Sequence, residues 1–295
     1  MRICAACGLS HLADRAACPA CGWQAPMRNG FRAYAPEVDA ALGAGFRPEA
    51  FADLAAHEDS SFWFQARNRL ILAMVARHAT GFRTMLEIGC GTGFVLRGLM
   101  ERFAGARFTG SEVYSAGLAF AAARAPGATL CQMDARRIGH IDEFDLIGAF
   151  DVLEHIEEDT QVLAEIRQAL VPGGFLIVTV PQHPWLWSPA DEYACHARRY
   201  ARGEMEAKIA VAGLKVVRST SFVSLLLPAM LLSRVVQRLR PAAEFDPTAE
   251  FRLHPALNAT FGAVMRIEEA LIRLGAALPL GGSRLVVARK EEVLA

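Results

Sequence analysis

The chain has 295 residues, 53% of them hydrophobic, which is enough for one full core and a small additional module. Its 31 basic and 31 acidic side chains give a formal net charge of zero, which removes any global electrostatic argument for nucleic-acid binding. No apolar window reaches the roughly 18 residues of a membrane span, and the first residues lack a signal-peptide pattern. Four of the seven cysteines form CxxC pairs, so we expect the cytoplasm, where thiols stay reduced.

These paired cysteines near the start of the chain have the spacing of a zinc site. They form the pattern C-x2-C-x10-C-x2-C, and each pair is followed by a glycine that lets the backbone turn tightly. Two such turns can direct four thiolates at one point, the tetrahedral set that Zn²⁺ prefers. The predicted ligands are Cys4, Cys7, Cys18 and Cys21. The sequence therefore predicts a structural zinc ribbon over residues 1–30; a redox dithiol is disfavoured because neither pair begins a helix in a thioredoxin-like unit.

The residues after the cysteines are interpreted as a linker. Residues 1–50 carry five arginines and four acidic residues, a balance too even for a surface that follows phosphates. Pro26, Gly30 and Pro36 break any regular pattern, and we assign residues 31–56 to the linker.

From about residue 84, short apolar runs alternate with helical patterns, as in a parallel sheet with helices on both faces. The predicted strands are 84–89, 107–112, 128–134, 144–150, 174–180, 214–222 and 283–290, and the predicted helices between them are 94–103, 115–125 and 159–170. The fold class is therefore α/β, a doubly wound seven-stranded Rossmann-like sheet over residues 57–295. A helical insertion over residues 222–282 separates strands six and seven.

The turn after the first of these strands is rich in glycine. MLEIGCGTGFVL (85–96) places Gly89, Gly91 and Gly93 after the strand, but Phe94 stands where a dinucleotide motif has its third glycine. Glu87 lies near the end of the strand, where its carboxylate would repel a pyrophosphate. It suits a ligand with positive charge, and S-adenosylmethionine (SAM) carries an ammonium and a sulfonium but no phosphate.

Acidic residues also end the next two strands. Glu112 lies nineteen residues after Gly93, where a carboxylate can accept hydrogen bonds from both ribose hydroxyls. Asp134 ends the third strand and is placed to meet the adenine amino group. Acids at the ends of three successive strands predict a site for a cationic adenosyl ligand.

Four segments together resemble class I SAM-dependent methyltransferases: LEIGCGTG, GSE (110–112), MDA (133–135) and FDVLEHI (150–156). The resemblance covers residues 57–222 and the last strand. It implies the strand order 3-2-1-4-5-7-6 with strand seven antiparallel. It also implies cofactor contacts at the matching positions, which are Glu87, Gly89, Cys90, Gly91, Gly93, Glu112, Val113, Asp134, Ala135 and Phe150.

A closer resemblance is to the ubiquinone-biosynthesis O-methyltransferases. It implies that Asp151, Glu154 and His155, in the loop after strand four, share a divalent cation. SSFWFQARNRLIL (60–72) is similar to a helix that folds over the cofactor in bacterial relatives, with Trp63 and Arg67 facing it. The alternative for this segment is an ordinary amphipathic helix packed on the sheet.

The proton acceptor for methyl transfer is expected at the carboxyl ends of the strands. His155 is our first candidate because imidazole titrates near neutrality, although it could instead cap the following helix. The loop 181–200 adds His183 and His196 as candidates. Its tryptophans suit a flat or apolar acceptor and its paired arginines an anionic one. Alternatively, Asp–Arg pairs clamp this loop as a lid.

The insertion contains two helical patterns, 222–240 and 255–275. We interpret them as a cap over the site, and the first pattern could also contact a membrane surface peripherally. Together, the features predict a methyltransferase that acts on a small molecule, most readily at a hydroxyl oxygen. The alternatives are an RNA base methyltransferase that uses the zinc ribbon for binding, and a SAM-binding scaffold without activity. The sequence identifies neither the acceptor nor the oligomeric state.

Overall fold

The computed structural model describes residues 1–12, 17–41, 48–239 and 253–292. Its strands are β1 (Arg2–Ile3), β2 (Ser10–His11), β3 (Met27–Arg28), β4 (Phe31–Ala33), β5 (Thr84–Ile88), β6 (Arg107–Glu112), β7 (Thr129–Gln132), β8 (Phe144–Phe150), β9 (Leu170–Pro181), β10 (Lys215–Phe222) and β11 (Ser283–Arg289). Its helices are α1 (Pro36–Ala41), α2 (Pro48–His57), α3 (Phe62–His78), α4 (Phe94–Arg102), α5 (Ser115–Arg124), α6 (Asp159–Ala169), α7 (Pro189–Tyr193), α8 (Glu204–Val211), α9 (Leu227–Leu239) and α10 (Pro255–Arg273).

The central sheet has the strand order β10-β11-β9-β8-β5-β6-β7-β4-β3. Strands β5 to β9 are parallel, whereas β11 runs antiparallel to both β9 and β10. The seven predicted strands correspond to β5–β11, so the predicted doubly wound sheet and its strand order are confirmed. The apolar runs of β5 and β8 are buried on both faces, as a sheet covered by helices on each side requires.

Residues 31–56, which we interpreted as a linker, contain β4, α1 and most of α2 in the described ranges. Asn29 and Gly30 form a two-residue turn with φ of 49° and 86°, so β3 and β4 make a tight hairpin. β4 then pairs in parallel with β7 and extends the main sheet. Part of the predicted linker therefore has regular structure, because the Asn-Gly turn directs β4 into the main sheet.

Apolar layers lie on both faces of the sheet. On one face, Leu70 and Ile71 of α3 pack with residues of α4, α5 and α10. On the other, the predicted stripe of α6, Val162, Leu163 and Ile166, is fully buried together with side chains of α8. The sheet is therefore rigidly held, and its carboxyl-terminal edge can present side chains at fixed positions.

The insertion contains the two expected helices, α9 and α10. α10 packs along α3, where the Phe62 and Phe261 rings lie 5.4 Å apart and Arg69 Nε lies 2.8 Å from Glu269 Oε2. The fully buried Glu268 carboxylate accepts hydrogen bonds from three successive backbone N–H groups, at 223–225, just before α9. Within the described ranges, every helix is too short or too polar to cross a membrane.

Candidate active site

A cavity of about 1350 Å³ opens at the carboxyl ends of the parallel strands. Its lining includes the glycine turn, α3, the loop after β8, the lid segment 181–200 and the helices α9 and α10. Single-ligand pockets span roughly 300–1,000 Å³, so this cavity has room for two ligands side by side.

The glycine turn has a conformation that other residues rarely adopt. Gly89, Gly91 and Gly93 have φ of 62°, 51° and 78°. A Cβ atom at Gly89 would lie 2.5 Å from Val152 Cγ2, and one at Gly93 would lie 2.8 Å from the Ala121 backbone. At Gly91 the nearest atom would be 3.9 Å away, so this backbone faces open space in the cavity. The turn is built for close approach of a ligand.

Glu87 is the least satisfied acid at this end of the cavity. Its side chain is buried, and Oε2 has no hydrogen-bond partner in the described part of the chain. Burial raises the pKa of Glu87 to about 8, and Glu58 and Glu112 add to this effect although Arg67 opposes it. A cationic group placed here would let the carboxylate ionise and would satisfy its oxygen. The ammonium of SAM fits this requirement.

The other two strand-end acids already have backbone partners. Glu112 accepts hydrogen bonds from the N–H groups of Gly91, Val113 and Tyr114 at 3.0, 2.8 and 3.2 Å. Asp134 accepts from the backbone and side chain of Arg136, both at 2.9 Å. Both carboxylates line the cavity but are held in place, so a ribose or adenine would share them with these donors.

Eleven of the twelve predicted cofactor residues line the cavity: Glu87, Gly89, Cys90, Gly91, Glu112, Val113, Asp134, Ala135, Phe150, Trp63 and Arg67. Gly93, the twelfth, instead lies against the Ala121 backbone of α5. Sequence reasoning missed Phe51 and Val38, which also line the cavity, because they lie in the supposed linker.

The structure places the Asp151 carboxylate against α3. Its carboxylate forms an ion pair with Arg67, which also stacks over Trp63 at 4.7 Å, and it accepts a hydrogen bond from Thr179 at 3.2 Å. Asp151 therefore belongs to the α3 side of the cavity. Among the described residues, the group of possible metal ligands within 4.8 Å here comprises Glu154, His155 and His196 and does not include Asp151.

Glu154 and His155 converge instead with His196 of the lid. One ligand atom of each lies within 4.8 Å of the others, and the two imidazole rings are 4.7 Å apart. Both Glu154 oxygens are buried without a hydrogen-bond partner among the described residues, and burial raises the Glu154 pKa well above its ordinary value. Burial, and then His196, lower the pKa of His155 to about 4. The three groups are suited to receive a polar donor or a cation.

His196 is oriented by a buried carboxylate. Its Nδ1 lies 2.9 Å from Asp191 Oδ1, and the same oxygen accepts from Arg199 Nε at 2.7 Å. Burial alone would raise the pKa of Asp191, but the hydrogen bond from His196 and the charge of Arg199 lower it to about 2. With Nδ1 donating to this carboxylate, Nε2 is left as the proton acceptor.

Comparison with known proteins agrees with this geometry. Residues 86–176, from β5 into β9, match the family model described as a methyltransferase domain.

Three curated relatives resemble parts of this chain. One is a probable S-adenosylmethionine-dependent methyltransferase of Mycolicibacterium smegmatis, 26% identical over 54% of this chain and 61% of its own length. A trans-aconitate 2-methyltransferase of Acidovorax sp. is 32% identical over 38% of this chain and 43% of its own length. A ubiquinone biosynthesis O-methyltransferase of Pasteurella multocida is 28% identical over 37% and 51%, respectively. The chain thus spans about half the length of these relatives.

Among solved structures, a methyltransferase from Galdieria sulphuraria superposes with a TM-score of 0.52. It is 15% identical and covers 77% of this chain and 86% of its own. At this identity the likeness shows the fold alone.

The lid segment 181–200 is held by Asp–Arg pairs, the alternative we considered from the sequence. Arg198 pairs with Asp159 at 3.0 Å, and Arg199 pairs with Asp191. His183 stacks on the half-exposed Trp185 at 4.9 Å, and neither is among the residues that line the cavity. The structure therefore places His196, but not His183, among the residues that line the cavity.

The four N-terminal cysteines converge as predicted from their spacing. Their sulfur atoms lie within 4.8 Å of one another, and the pairs Cys4–Cys21 and Cys7–Cys18 are both 3.6 Å apart. Zn–S bonds of about 2.3 Å in a tetrahedron require sulfur separations of about 3.8 Å. The N–H of Cys21 is the main cause that lowers the pKa of Cys18 to about 6, which favours a thiolate. The donor set and its spacing fit zinc.

Proposed function

We propose that this chain is a SAM-dependent methyltransferase that moves a methyl group to the hydroxyl oxygen of a small-molecule acceptor. The observation that carries the proposal is the buried Glu87 carboxylate, whose Oε2 has no hydrogen-bond partner among the described residues and which lies beside a glycine turn open to the cavity. A cationic ligand satisfies both features, because its charge ionises the acid and the turn lets it approach the backbone.

At the cofactor end of the cavity, a different side chain binds each polar part of SAM. Glu87 receives the ammonium, Glu112 the ribose hydroxyls and Asp134 the adenine amino group. Arg67 and Trp63 of α3 close this end from above, and the Arg67–Asp151 ion pair fixes the loop after β8. The sulfonium activates the methyl carbon, so the chain mainly has to align the nucleophile with it.

The acceptor lies at the other end, and its polar group faces Glu154, His155 and His196. In the reaction the acceptor oxygen forms a bond to the methyl carbon while the sulfur–carbon bond breaks. The hydroxyl proton passes to His196 Nε2, and the products are S-adenosylhomocysteine (SAH) and the methyl ether. We favour His196 over His155 as the base because a group with a pKa of about 4 holds a proton weakly.

The cavity mouth supports an acceptor with an apolar part. Leu232 and Val236 of α9 and Leu257 of α10 line the cavity and are also 65%, 40% and 42% exposed. An apolar chain leaving between these helices would cover them. Leu231 and Val235 extend this exposed face along α9, which supports peripheral contact of α9 with a lipid surface.

The same three acceptor-side groups are candidate ligands for a divalent cation, now with His196 in place of Asp151. A hydroxyl bound there would lose its proton more readily. Chelation that leaves zinc on the cysteines but abolishes turnover would support this variant of the proposal. Full activity after such treatment would contradict it.

The four N-terminal cysteines hold one structural zinc ion in this proposal, with Cys4, Cys7, Cys18 and Cys21 as ligands. Because all four positions are taken by thiolates, the ion has no open site for chemistry.

The deciding experiment is calorimetric titration of the purified chain with SAH, followed by turnover with a panel of hydroxylated acceptors of increasing apolar length. Saturable binding of SAH and methyl transfer from SAM support the proposal. Absence of SAH binding refutes it, and binding without turnover of any panel member would favour a SAM-binding scaffold.

A further inference from the structure

The cysteine module, residues 1–12 and 17–35 of the described chain, is joined to the loop that follows β7. β1 lies along this loop, with the Ile3 N–H donating to Gly139 O and the Ile141 N–H donating to Met1 O, both at 2.8 Å. The loop begins at Asp134, which caps the turn Ala135–Arg137. Cys4 directly follows β1, so a predicted zinc ligand is one residue from the strand that braces the adenine side of the cavity.

The second half of the module reaches the same region through β4. The Tyr34 N–H donates to Gln132 O at 2.8 Å, directly beyond the parallel pairing of β4 with β7. The Tyr34 ring contacts Trp23 at 6.5 Å and lies under the Arg2 guanidinium at 4.6 Å. Arg2 precedes the first CxxC pair and Trp23 follows the second. Tyr34 contacts both of these residues and therefore connects both CxxC pairs to the sheet.

Two polar side chains, Gln132 and Asn29, link the module to the segment after Glu112, on the ribose side of the cavity. The fully buried Gln132 amide binds both backbone groups of Ala35, at 3.1 and 2.8 Å, and also donates to Val113 O at 3.1 Å. Asn29 Nδ2 donates to Ser115 Oγ at 2.8 Å. Val113 and Ser115 follow Glu112 closely, so the module touches the segments on both sides of the adenosine end.

The module has little apolar core of its own, and its buried side chains include the thiols Cys4 and Cys18. A segment of this size depends on its metal for folding, because four converging thiolates repel one another without a cation. When the metal is removed, the contacts through Ile3, Tyr34 and Asn29 weaken. Part of the binding free energy of the cofactor must then be used to order these loops.

We propose that zinc in the cysteine cluster raises the affinity of the cavity for SAM and SAH, because the metal-loaded module forms the outer wall of the adenosine end. This inference rests on the proposed function. Linkage makes the effect reciprocal, so bound SAH raises the affinity for zinc by the same factor, which we expect to be about tenfold.

The test uses the full chain with zinc and SAH as the only ligands. The zinc dissociation constant is measured by competition with a chromophoric chelator, with and without saturating SAH, and the SAH affinity is measured by calorimetry before and after zinc removal. Equal shifts of about tenfold in both affinities support the coupling. Zinc affinity that is unchanged by SAH overturns it. A chain that binds no SAH refutes the proposed function itself, whereas zinc-independent SAH binding refutes only this inference.

A single substitution can remove a contact between the module and the cavity wall while it leaves the zinc ligands in place. Asn29→Gly removes the bond to Ser115 but tolerates the φ of 49° at this position. We expect it to retain zinc and to bind SAH several-fold more weakly. His11→Ser, in the β1–β2 pair of the same module but outside the four cysteines, is the matched control and should keep both affinities. If Asn29→Gly binds SAH as tightly as the unaltered chain, the wall described here does not transmit the effect and the inference fails.

Discussion

The two ends of the cavity are built in different ways. The cofactor end is made by a strand and its turn, with Glu87, Gly89 and Gly91 close together in the chain and Glu112 on the neighbouring strand. The acceptor end brings together the loop after β8, the lid and two helices of the insertion. Its key groups, Glu154, His196 and Leu232, come from three separate segments. The cofactor end is therefore local and rigid, while the acceptor end depends on how distant segments pack.

This contrast explains why the cofactor can be inferred from the residues and the acceptor cannot. A backbone turn with three glycines at positive φ admits few ligands, and a buried acid selects a cation. The acceptor end offers two imidazoles, an acid and an apolar mouth, which together suit many hydroxylated molecules. Substitutions at the two ends should separate cofactor binding from catalysis.

The largest effect is expected at the glycine turn. Gly91→Arg should abolish SAH binding, because the side chain would fill the open space above the turn and a non-glycine residue would be strained at φ of 51°. Calorimetry with SAH measures this loss. Gly105→Arg is the control, because nothing lies within 4 Å of a Cβ there, and it should bind normally. Retained binding in Gly91→Arg would mean that the cofactor lies elsewhere.

His196→Ala should lower kcat by about 100-fold and leave SAH affinity unchanged, because the base would be lost without altering the cofactor end. Steady-state kinetics with the best acceptor of the panel measures the first quantity and calorimetry the second. His183→Ala, at the histidine outside the cavity lining, should change kcat far less. Equal losses in both variants would show that the lid is only a structural element.

Glu87→Gln tests the charge at the cofactor end. With its pKa near 8, Glu87 is mostly protonated at pH 6.5, so SAH affinity should rise with pH by up to about tenfold per unit until pH 8. The glutamine variant should lose this rise. The two proteins should bind SAH similarly at pH 6.5 and diverge at pH 8.5. A parallel pH profile for both would remove Glu87 from the ligand site.

The same group predicts a change in stability. Because the folded pKa of Glu87 is raised, the native state binds more protons than the unfolded state between pH 4.5 and 8, and stability falls as pH rises through this window. Glu87→Gln should therefore raise Tm more at pH 8.5 than at pH 5. Differential scanning calorimetry without ligand provides the measurement, and an equal change at both values would contradict the assignment.

The smallest effect is expected at the cavity mouth. Leu232→Ser should raise KM for long apolar acceptors by about threefold, because it removes part of the surface that would cover an apolar chain. Short acceptors should respond less, and SAH affinity should not change. Val211→Ser, at an 85% exposed valine of α8, is the matched control. A change of the same size for short and long acceptors would contradict the apolar mouth.

Much of the doubly wound sheet could be predicted because its signals are local. Apolar runs of strand length, the helical stripe of α6 and the glycine turn each depend on neighbours in the chain. The hairpin of β3 and β4 also had a local signal, Asn29-Gly30, but the nearby prolines led to its interpretation as a linker. Whether that hairpin joined the main sheet depended on Gln132, about a hundred residues away.

The sequence by itself determined the doubly wound sheet, the turn for a cationic ligand and the cysteine spacing, because φ preferences and hydrophobic periodicity act over a few residues. Tertiary structure alone decided that Asp151 forms an ion pair with Arg67, and that His196 lies beside Glu154 and His155. It also decided that the cysteine module braces the strand ends that carry Glu112 and Asp134. These outcomes depend on which distant charges meet in a buried place, where an ion pair, once formed, fixes the remaining partners.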